Sequence, residues 1–162
     1  MFIKLNRKVH TVFIHCSASD NPKHDDISVI KRWHQERGFA DVGYHYFIKK
    51  DGTLQAGRPI ENRPASQAPF NSGSISICLH GLEKDKFTPE QFDTLVTLCN
   101  DINRAYDGKL TFRGHCEVNK KKTCPVFDYK RVLNLDENGY IIKVSKVGFF
   151  KKIWGLLCGK EL

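Results

Sequence analysis

The segment spanning residues 113–128 makes the strongest demand on the fold. It contains His115, Lys122 and Cys124 within ten residues. An imidazole and a thiolate are ligands that suit zinc, and an ammonium group two residues before the thiolate is placed to stabilise charge near the metal. A catalytic zinc site normally takes three protein ligands and leaves one position for water. The chain must therefore fold so that a third ligand reaches this segment from elsewhere.

His15 is the best candidate for the third ligand. It follows the apolar run Val9–Ile14, which predicts a buried strand that delivers the imidazole to the polar loop 16–20. A ligand on a strand end is held more firmly than one on a loop. The competing interpretation is that His15 is a hydrogen-bonded core or loop residue and that no metal site exists. The residues alone leave both interpretations open.

The composition is typical of a globular protein. The length of 162 residues suffices for one domain, which we predict over residues 1–135, and a short appendage over residues 136–162. Hydrophobic residues make up 40% and charged residues 27% of the chain, which argues against extensive disorder. The net charge of +8 favours an anionic partner such as nucleic acid, anionic lipid or a bacterial wall.

The cysteines and the start of the sequence bear on the compartment. Six cysteines lack the spacing of a zinc ribbon, and the first residues contain no apolar region of signal-peptide length. We therefore expect synthesis in a reducing cytosol with free thiols, while release or export by another route stays open. No apolar run reaches the roughly 18 residues that a transmembrane helix needs.

Three helices are predicted from apolar spacing and capping residues. The first begins at Ile27 after a cap at Asp25 or Asp26 and ends before Gly38. The second begins after Thr88, with Pro89 and Gln91 completing a capping box, and ends before Gly108. Its predicted buried face comprises Phe92, Leu95, Val96, Cys99, Ile102 and Tyr106. A short closing helix is predicted within residues 127–133.

Further strands are predicted at Val42–Ile48, at Ser74–Leu79 and at Leu110–Arg113, the last of which presents His115. The Asp51-Gly52 turn predicts a hairpin between the first of these strands and residues 53–56. Residues 58–73 form a long proline-rich loop of the kind that often walls a substrate groove. Tyr44 lies at a strand start and is predicted to point its hydroxyl into a cleft, the alternative being a core tyrosine with its hydroxyl at the rim.

The segment near the C-terminus has a different character. Five apolar residues fall on one helical face and two lysines, Lys151 and Lys152, lie opposite; the apolar residues are Val147, Phe150, Ile153, Trp154 and Leu157. A basic amphipathic helix of this kind either lies on an anionic membrane or docks on the domain.

Several short motifs occur in an order that resembles the zinc-dependent type-2 N-acetylmuramoyl-L-alanine amidases, in particular the small phage lysozyme-like members. The resemblance covers about residues 9–133, and peptidoglycan recognition proteins share the fold of this family. The motifs are His15-Cys16-Ser17-Ala18, Gly43-Tyr44-His45-Tyr46, Asp51-Gly52, Ala56-Gly57-Arg58, Asn71 with Ser74-Ile75, and His115 with Cys124-Pro125 and Phe127-Asp128.

The resemblance implies an α/β domain, with a mixed central β-sheet flanked by helices and a Zn²⁺ ion at one end of an open groove. Three residues map onto the family's metal ligands, two onto its catalytic positions and three onto predicted substrate contacts. The ligands are His15, His115 and Cys124, the catalytic residues are Tyr44 and Lys122, and the substrate contacts are His45, Asn71 and Gln67.

The sequence departs from the family pattern at three places. Gln67 stands where relatives often carry a histidine, and Ser76 replaces the glycine of a common Ser-Ile-Gly motif. The spacing from His115 to Cys124 is one residue longer than in the phage relatives, which makes Lys121 a competitor for the role of Lys122.

The implied activity is hydrolysis of the amide between N-acetylmuramic acid and L-alanine in peptidoglycan, by a monomer that acts on the wall. No carboxylate occupies a clear general-base position, and His45 and Glu117 are the remaining candidates. The alternative function is a non-catalytic peptidoglycan-binding module, although relatives that only bind commonly lack the thiolate ligand. The sequence contains no recognised nucleic-acid motif, so no specific nucleic-acid partner is expected.

Overall fold

A single mixed β-sheet forms the centre of the molecule, for which the computed structural model describes residues 1–142. The strands are β1 (Thr11–Cys16), β2 (Tyr46–Ile48), β3 (Leu54–Ala56), β4 (Ser74–Leu79) and β5 (Thr111–Gly114), in the spatial order β3-β2-β4-β1-β5. Only the β2–β3 pair is antiparallel. The predicted mixed central sheet is confirmed.

Within residues 1–142, four α-helices accompany the sheet: α1 (Ile27–Glu36), α2 (Pro89–Ala105), α3 (His115–Val118) and α4 (Tyr129–Val132). Asp26 caps α1, because its side chain accepts from the Ser28 amide at 2.8 Å. The predicted capping box of α2 is present, with Thr88 and Gln91 bonding each other's backbone amides. Leu95, Cys99 and Ile102 of α2 are buried in the core, as the apolar spacing predicts.

β1 is buried along its whole length because it pairs with β4 on one side and β5 on the other. Parallel strands that are covered on both faces have continuous apolar sequences, and Val12–Ile14 follows that pattern. The β1–β5 pairing ends with Ile14 opposite Gly114. The next residues, His15 and His115, therefore leave adjacent parallel strands at the same edge of the sheet.

The strand predicted at Val42–Ile48 is shorter in the structure, since β2 begins only at Tyr46. The carbonyls of residues 43–45 are occupied by a loop instead of a strand, because they accept from the amides of Ala65, Arg58 and Gly57. A side chain at Gly43 would place its Cβ 2.3 Å from the Ala65 oxygen, so only glycine permits this approach. Tyr44 consequently lies in an irregular segment beside the loop.

Residues 136–142 continue onto the same body. Leu135 bridges to Ile141, both pack against the core, and the Phe112 amide donates to the Gly139 carbonyl at 2.7 Å. The predicted division at residue 135 and the predicted amphipathic helix stay predictions, because residues 143–162 lie outside the described part of the chain. Among residues 1–142, no helix is long and apolar enough to span a bilayer.

Candidate metal centre and groove

The side chains of His15, His115 and Cys124 meet at the carboxyl edge of β1 and β5. One nitrogen or sulfur atom from each lies within 4.8 Å of the other two. The Cys124 sulfur is 3.8 Å from Nδ1 of His15, and the two imidazole centroids are 4.8 Å apart. The predicted ligands are therefore brought together as a group that is able to hold one metal ion.

Cys124 is held at the strand ends by backbone contacts. The Cys16 amide donates to the Cys124 sulfur at 3.1 Å, and the Cys116 amide donates to the Cys124 carbonyl at 2.9 Å. Gly114 makes this approach possible, since a Cβ there would lie 2.9 Å from Pro125 and 2.7 Å from the Tyr129 ring. The loop that carries the thiol is thus anchored to β1 and to the start of α3.

Both imidazoles are neutral at pH 7, which is the state that ligates a metal. Burial, together with the smaller effect of the nearby His115, lowers the pKa of His15 to about 3. Burial lowers the pKa of His115, and the positive charge of Lys122 makes a smaller contribution in the same direction. The neighbouring Cys16 thiol and burial raise the pKa of Cys124. A bound cation reverses that last effect, because a coordinating thiol is deprotonated.

An open groove of about 670 Å³ runs past this group. His115 and Cys124 form part of its wall, and the walls also include both predicted catalytic residues and the competing lysine. Further lining residues come from α1, from the residues that follow it and from the loop before β4. They include Trp33, His34, Arg37, Phe39, Ala65 and Ser66.

Tyr44 packs against one of the candidate metal ligands, His15, and against His34. Its ring centroid lies 5.1 Å from that of His15 and 5.4 Å from that of His34. Desolvation raises the pKa of the Tyr44 hydroxyl well above its usual value, with the nearby cysteines Cys78 and Cys124 adding to the effect. The phenol therefore stays protonated at neutral pH and is able to donate a hydrogen bond.

Lys122 and Lys121 both line the groove, but their surroundings differ. The charge of Lys122 acts on His115 and lowers its pKa, whereas Lys121 has no such effect. A turn supports both residues, because Asn119 accepts from the Lys122 amide at 2.9 Å and from the Lys121 amide at 3.1 Å. This effect on His115 favours Lys122 over Lys121 as the cation that acts at the candidate metal centre.

The residues predicted to touch substrate are engaged inside the protein. His45 is buried, accepts from the Ser76 amide at Nδ1 (3.0 Å) and donates from Nε2 to the Asn62 carbonyl (2.9 Å). Gln67 is buried and contacts Nε2 of His15 at 3.1 Å. The side-chain oxygen of Asn71 accepts from two backbone amides in its own loop. Their role as substrate contacts stays a prediction, and these contacts favour supporting roles.

His34 is a groove residue that the sequence pattern conceals. It follows Ile30 at helical spacing, which predicts a place on the apolar face of α1, and it is buried. Its Nδ1 accepts from the Gly43 amide at 2.8 Å, which leaves the proton on Nε2. The only local signal was a histidine on an otherwise apolar face, ten residues before Tyr44.

The buried histidines predict an acid-sensitive fold. Burial lowers the pKa of both His34 and His45 to about 4, below the ordinary value of 6.5. Because the unfolded chain takes up these protons first, the stability they contribute is complete above pH 6.5 and is lost as the pH falls toward 4. Each proton contributes a slope of up to about 1.4 kcal/mol per pH unit.

We expect the free energy of unfolding, measured with urea and chelator present, to fall across this pH range. The variant His45→Gln should remove about one proton from the slope, because glutamine does not titrate. An unchanged slope in that variant would mean that His45 titrates alike in the folded and unfolded chains.

Comparison with known proteins identifies a family whose matched region includes the candidate metal ligands. The profile of the N-acetylmuramoyl-L-alanine amidase family matches residues 5–127, which include all three metal-ligand candidates. The endolysin of Escherichia phage T7 is 38% identical over 134 residues, covering 79% of this chain and 87% of that protein. The endolysin of Enterobacteria phage T3 is 39% identical over 126 residues, covering 74% of this chain and 82% of that protein.

A solved structure shows the same architecture. The endolysin N-acetylmuramoyl-L-alanine amidase LysCS from Clostridium intestinale URNW superposes with a TM-score of 0.70 at 25% identity, covering 80% of this chain and 84% of that chain. The profile match, the relatives and the shared fold lead to one conclusion: this chain belongs to the N-acetylmuramoyl-L-alanine amidase family.

Proposed function

We propose that this protein hydrolyses the amide bond between N-acetylmuramic acid and L-alanine in bacterial peptidoglycan, with a zinc ion held by His15, His115 and Cys124. The observation that carries the proposal is the meeting of these three donors within 4.8 Å of one another, with His115 and Cys124 in the wall of an open groove and His15 buried behind them. Family membership identifies the substrate class, and the groove gives an extended polymer access to the donors.

The donor set fits zinc in its chemistry. Two imidazoles and one thiolate leave a fourth tetrahedral position, as catalytic zinc sites require. A thiolate is a soft ligand that disfavours magnesium and calcium, which prefer oxygen. The complete set of three donors also favours an enzyme over the alternative of a non-catalytic peptidoglycan-binding module.

Zinc bound at these residues would supply Lewis acidity that polarises the scissile carbonyl and makes water acidic enough to react near pH 7. The ammonium of Lys122 would stabilise the negative charge that develops on the carbonyl oxygen. Tyr44, whose ring packs against His15 and which lines the groove, would use its protonated hydroxyl to donate to the same oxygen or to orient the attacking water. His115, Cys124, Lys122 and Tyr44 all line the groove, so an amide bound there would lie next to all of these groups.

The two candidates for proton transfer are occupied elsewhere. Glu117 accepts a hydrogen bond from Tyr129 and lies 3.6 Å from the Lys130 ammonium. Both ring nitrogens of His45 bond the backbone. We therefore propose that water in the groove carries the proton from the attacking water molecule to the nitrogen of the departing L-alanine amine.

The proposal is tested by digesting purified peptidoglycan and identifying the fragments by mass spectrometry. We expect the digest to contain new L-alanine amino termini and free lactyl carboxylates. Protein treated for a long time with chelator should release neither product, and adding zinc should restore their release. Glycan chains should keep their length, which distinguishes an amidase from a glycosidase. Undiminished cleavage by protein that contains no zinc by elemental analysis would overturn the metal assignment, and cut glycosidic bonds would overturn the reaction.

Three finer features are proposed on the sequence alone. The segment of residues 145–157 would bring the enzyme to anionic lipid through its apolar face and Lys151 and Lys152. The protein would act as a monomer. It would be made in the cytoplasm and would reach the cell wall after release from the cell or by an export route that uses no signal peptide.

A further inference from the structure

We propose that Gln67 is a positioning residue for the metal centre, which selects the ring nitrogen that His15 offers to the ion. This inference rests on the proposed function and assigns a role to the loop of residues 58–73 that differs from walling the groove. Gln67 keeps the proton of His15 on Nε2, so that the lone pair of Nδ1 faces Cys124 and the metal.

The two nitrogens of His15 face different partners. Nε2 lies 3.1 Å from the side-chain oxygen of Gln67, and Nδ1 lies 3.8 Å from the sulfur of Cys124. His15 is 0% exposed and Gln67 is 1% exposed, so bulk water does not compete for either nitrogen. A neutral imidazole carries one proton, and its position is decided by whichever nitrogen meets an acceptor.

A chain of hydrogen bonds orients the amide of Gln67. The hydroxyl of Ser74 donates to the Asn71 carbonyl at 2.9 Å, which uses its only proton. Ser74 must therefore accept from the Gln67 side-chain nitrogen, which lies 2.8 Å away. The Gln67 oxygen is left on the opposite side, where the Ser66 hydroxyl also donates to it. The oxygen, and not the nitrogen, is consequently the atom that faces His15.

The backbone of Gln67 is held as well as its side chain. The side-chain oxygen of Asn71 accepts from the amides of Ser66 at 3.1 Å and Gln67 at 3.0 Å. Asn71 thus organises the turn, the turn presents Gln67, and Gln67 meets a histidine 52 residues away in the chain. The conformation of residues 66–74 is therefore linked, through the side chain of Gln67, to the orientation of His15 on β1.

Metal-binding histidines depend on such partners. The group that accepts the second ring proton sets the tautomer and ring orientation, and its removal typically lowers metal affinity by about 10- to 100-fold. A carboxylate in the same place accepts more strongly than an amide and makes the imidazole a better ligand. Glutamate and methionine at position 67 are therefore expected to change zinc affinity in opposite directions.

The experiment compares zinc affinity, measured by chelator competition, in the wild-type protein and in Gln67→Met. The substitution keeps the side-chain length and removes the acceptor, and we expect affinity to fall about 10- to 100-fold. Cobalt substitution gives a second readout, since a displaced imidazole alters the visible spectrum of a thiolate-bound ion. Gln91→Met is the matched control, because Gln91 is also buried and hydrogen-bonded through its side chain, but lies on α2. It should reduce stability and leave zinc affinity unchanged.

The variant Gln67→Glu is expected to bind zinc more tightly than the wild type. Long-range ¹H–¹⁵N NMR of the wild-type zinc form should show the His15 proton on Nε2, and this measurement stands even where a variant fails to fold. A proton on Nδ1, or equal affinity in the wild type and Gln67→Met, would overturn the inference. Failure of the proposed function has a different signature, because the wild type itself would then bind no zinc.

Discussion

Cys124→Ala is expected to abolish zinc retention and to lower amidase activity by about a thousandfold or more, because a metal Lewis acid supplies several kcal/mol to the transition state. The thiolate is the softest of the three donors, and the two remaining imidazoles make a weak site. Zinc in the dialysed protein is measured by elemental analysis, and activity by the release of L-alanine amino termini from purified wall.

Cys116→Ala provides the matched control for this prediction. Cys116 is a partly buried thiol on the same segment, but it is not a member of the metal group. Its replacement should leave zinc content and turnover close to those of the wild type. Full activity in Cys124→Ala would reject the metal-dependent scheme, whatever the behaviour of the control.

Lys122→Met is expected to retain zinc and to lower kcat by about 100- to 1,000-fold, the usual effect of removing one preorganised donor from a developing oxyanion. Methionine keeps much of the length of the side chain and removes its charge. Because the contribution arises in the transition state, KM should change far less than kcat. Zinc content and steady-state kinetics on soluble muropeptides test both halves of the prediction.

Lys121→Met decides between the two lysines. Both line the groove, but only Lys122 lowers the pKa of His115, so the neighbouring substitution should have a small effect. A larger loss in Lys121→Met would transfer the catalytic role to that residue. Loss of zinc from Lys122→Met would instead show that this lysine supports the loop that carries Cys124.

Local chemistry explains why the helices were predictable. The caps at Asp26 and Thr88 satisfy backbone amides within three residues of themselves, so nothing distant is needed to begin α1 or α2. The burial of Leu95, Cys99 and Ile102 follows from their helical spacing alone. These features depend on contacts between residues that are near in the sequence.

The segment before β2 shows where such reasoning fails. Residues 42–45 have the aromatic and β-branched character of a strand. The carbonyls of residues 43–45, however, accept hydrogen bonds from amides that lie more than ten residues later in the chain. The absence of a side chain at Gly43 admits the loop that carries Ala65. Propensity cannot foresee a hydrogen-bond partner supplied by tertiary structure.

The sequence by itself nominated the three candidate ligands, because only a few side chains can ligate zinc and because a buried strand was recognisable before His15. Tertiary structure alone decided how the site is assembled. The register of β1 on β5 sets His15 beside His115, and the loop that presents Gln67 chooses the nitrogen that faces Cys124. The physical reason is that a ligand's identity is a property of one residue, whereas its orientation depends on hydrogen bonds between segments that only folding brings together.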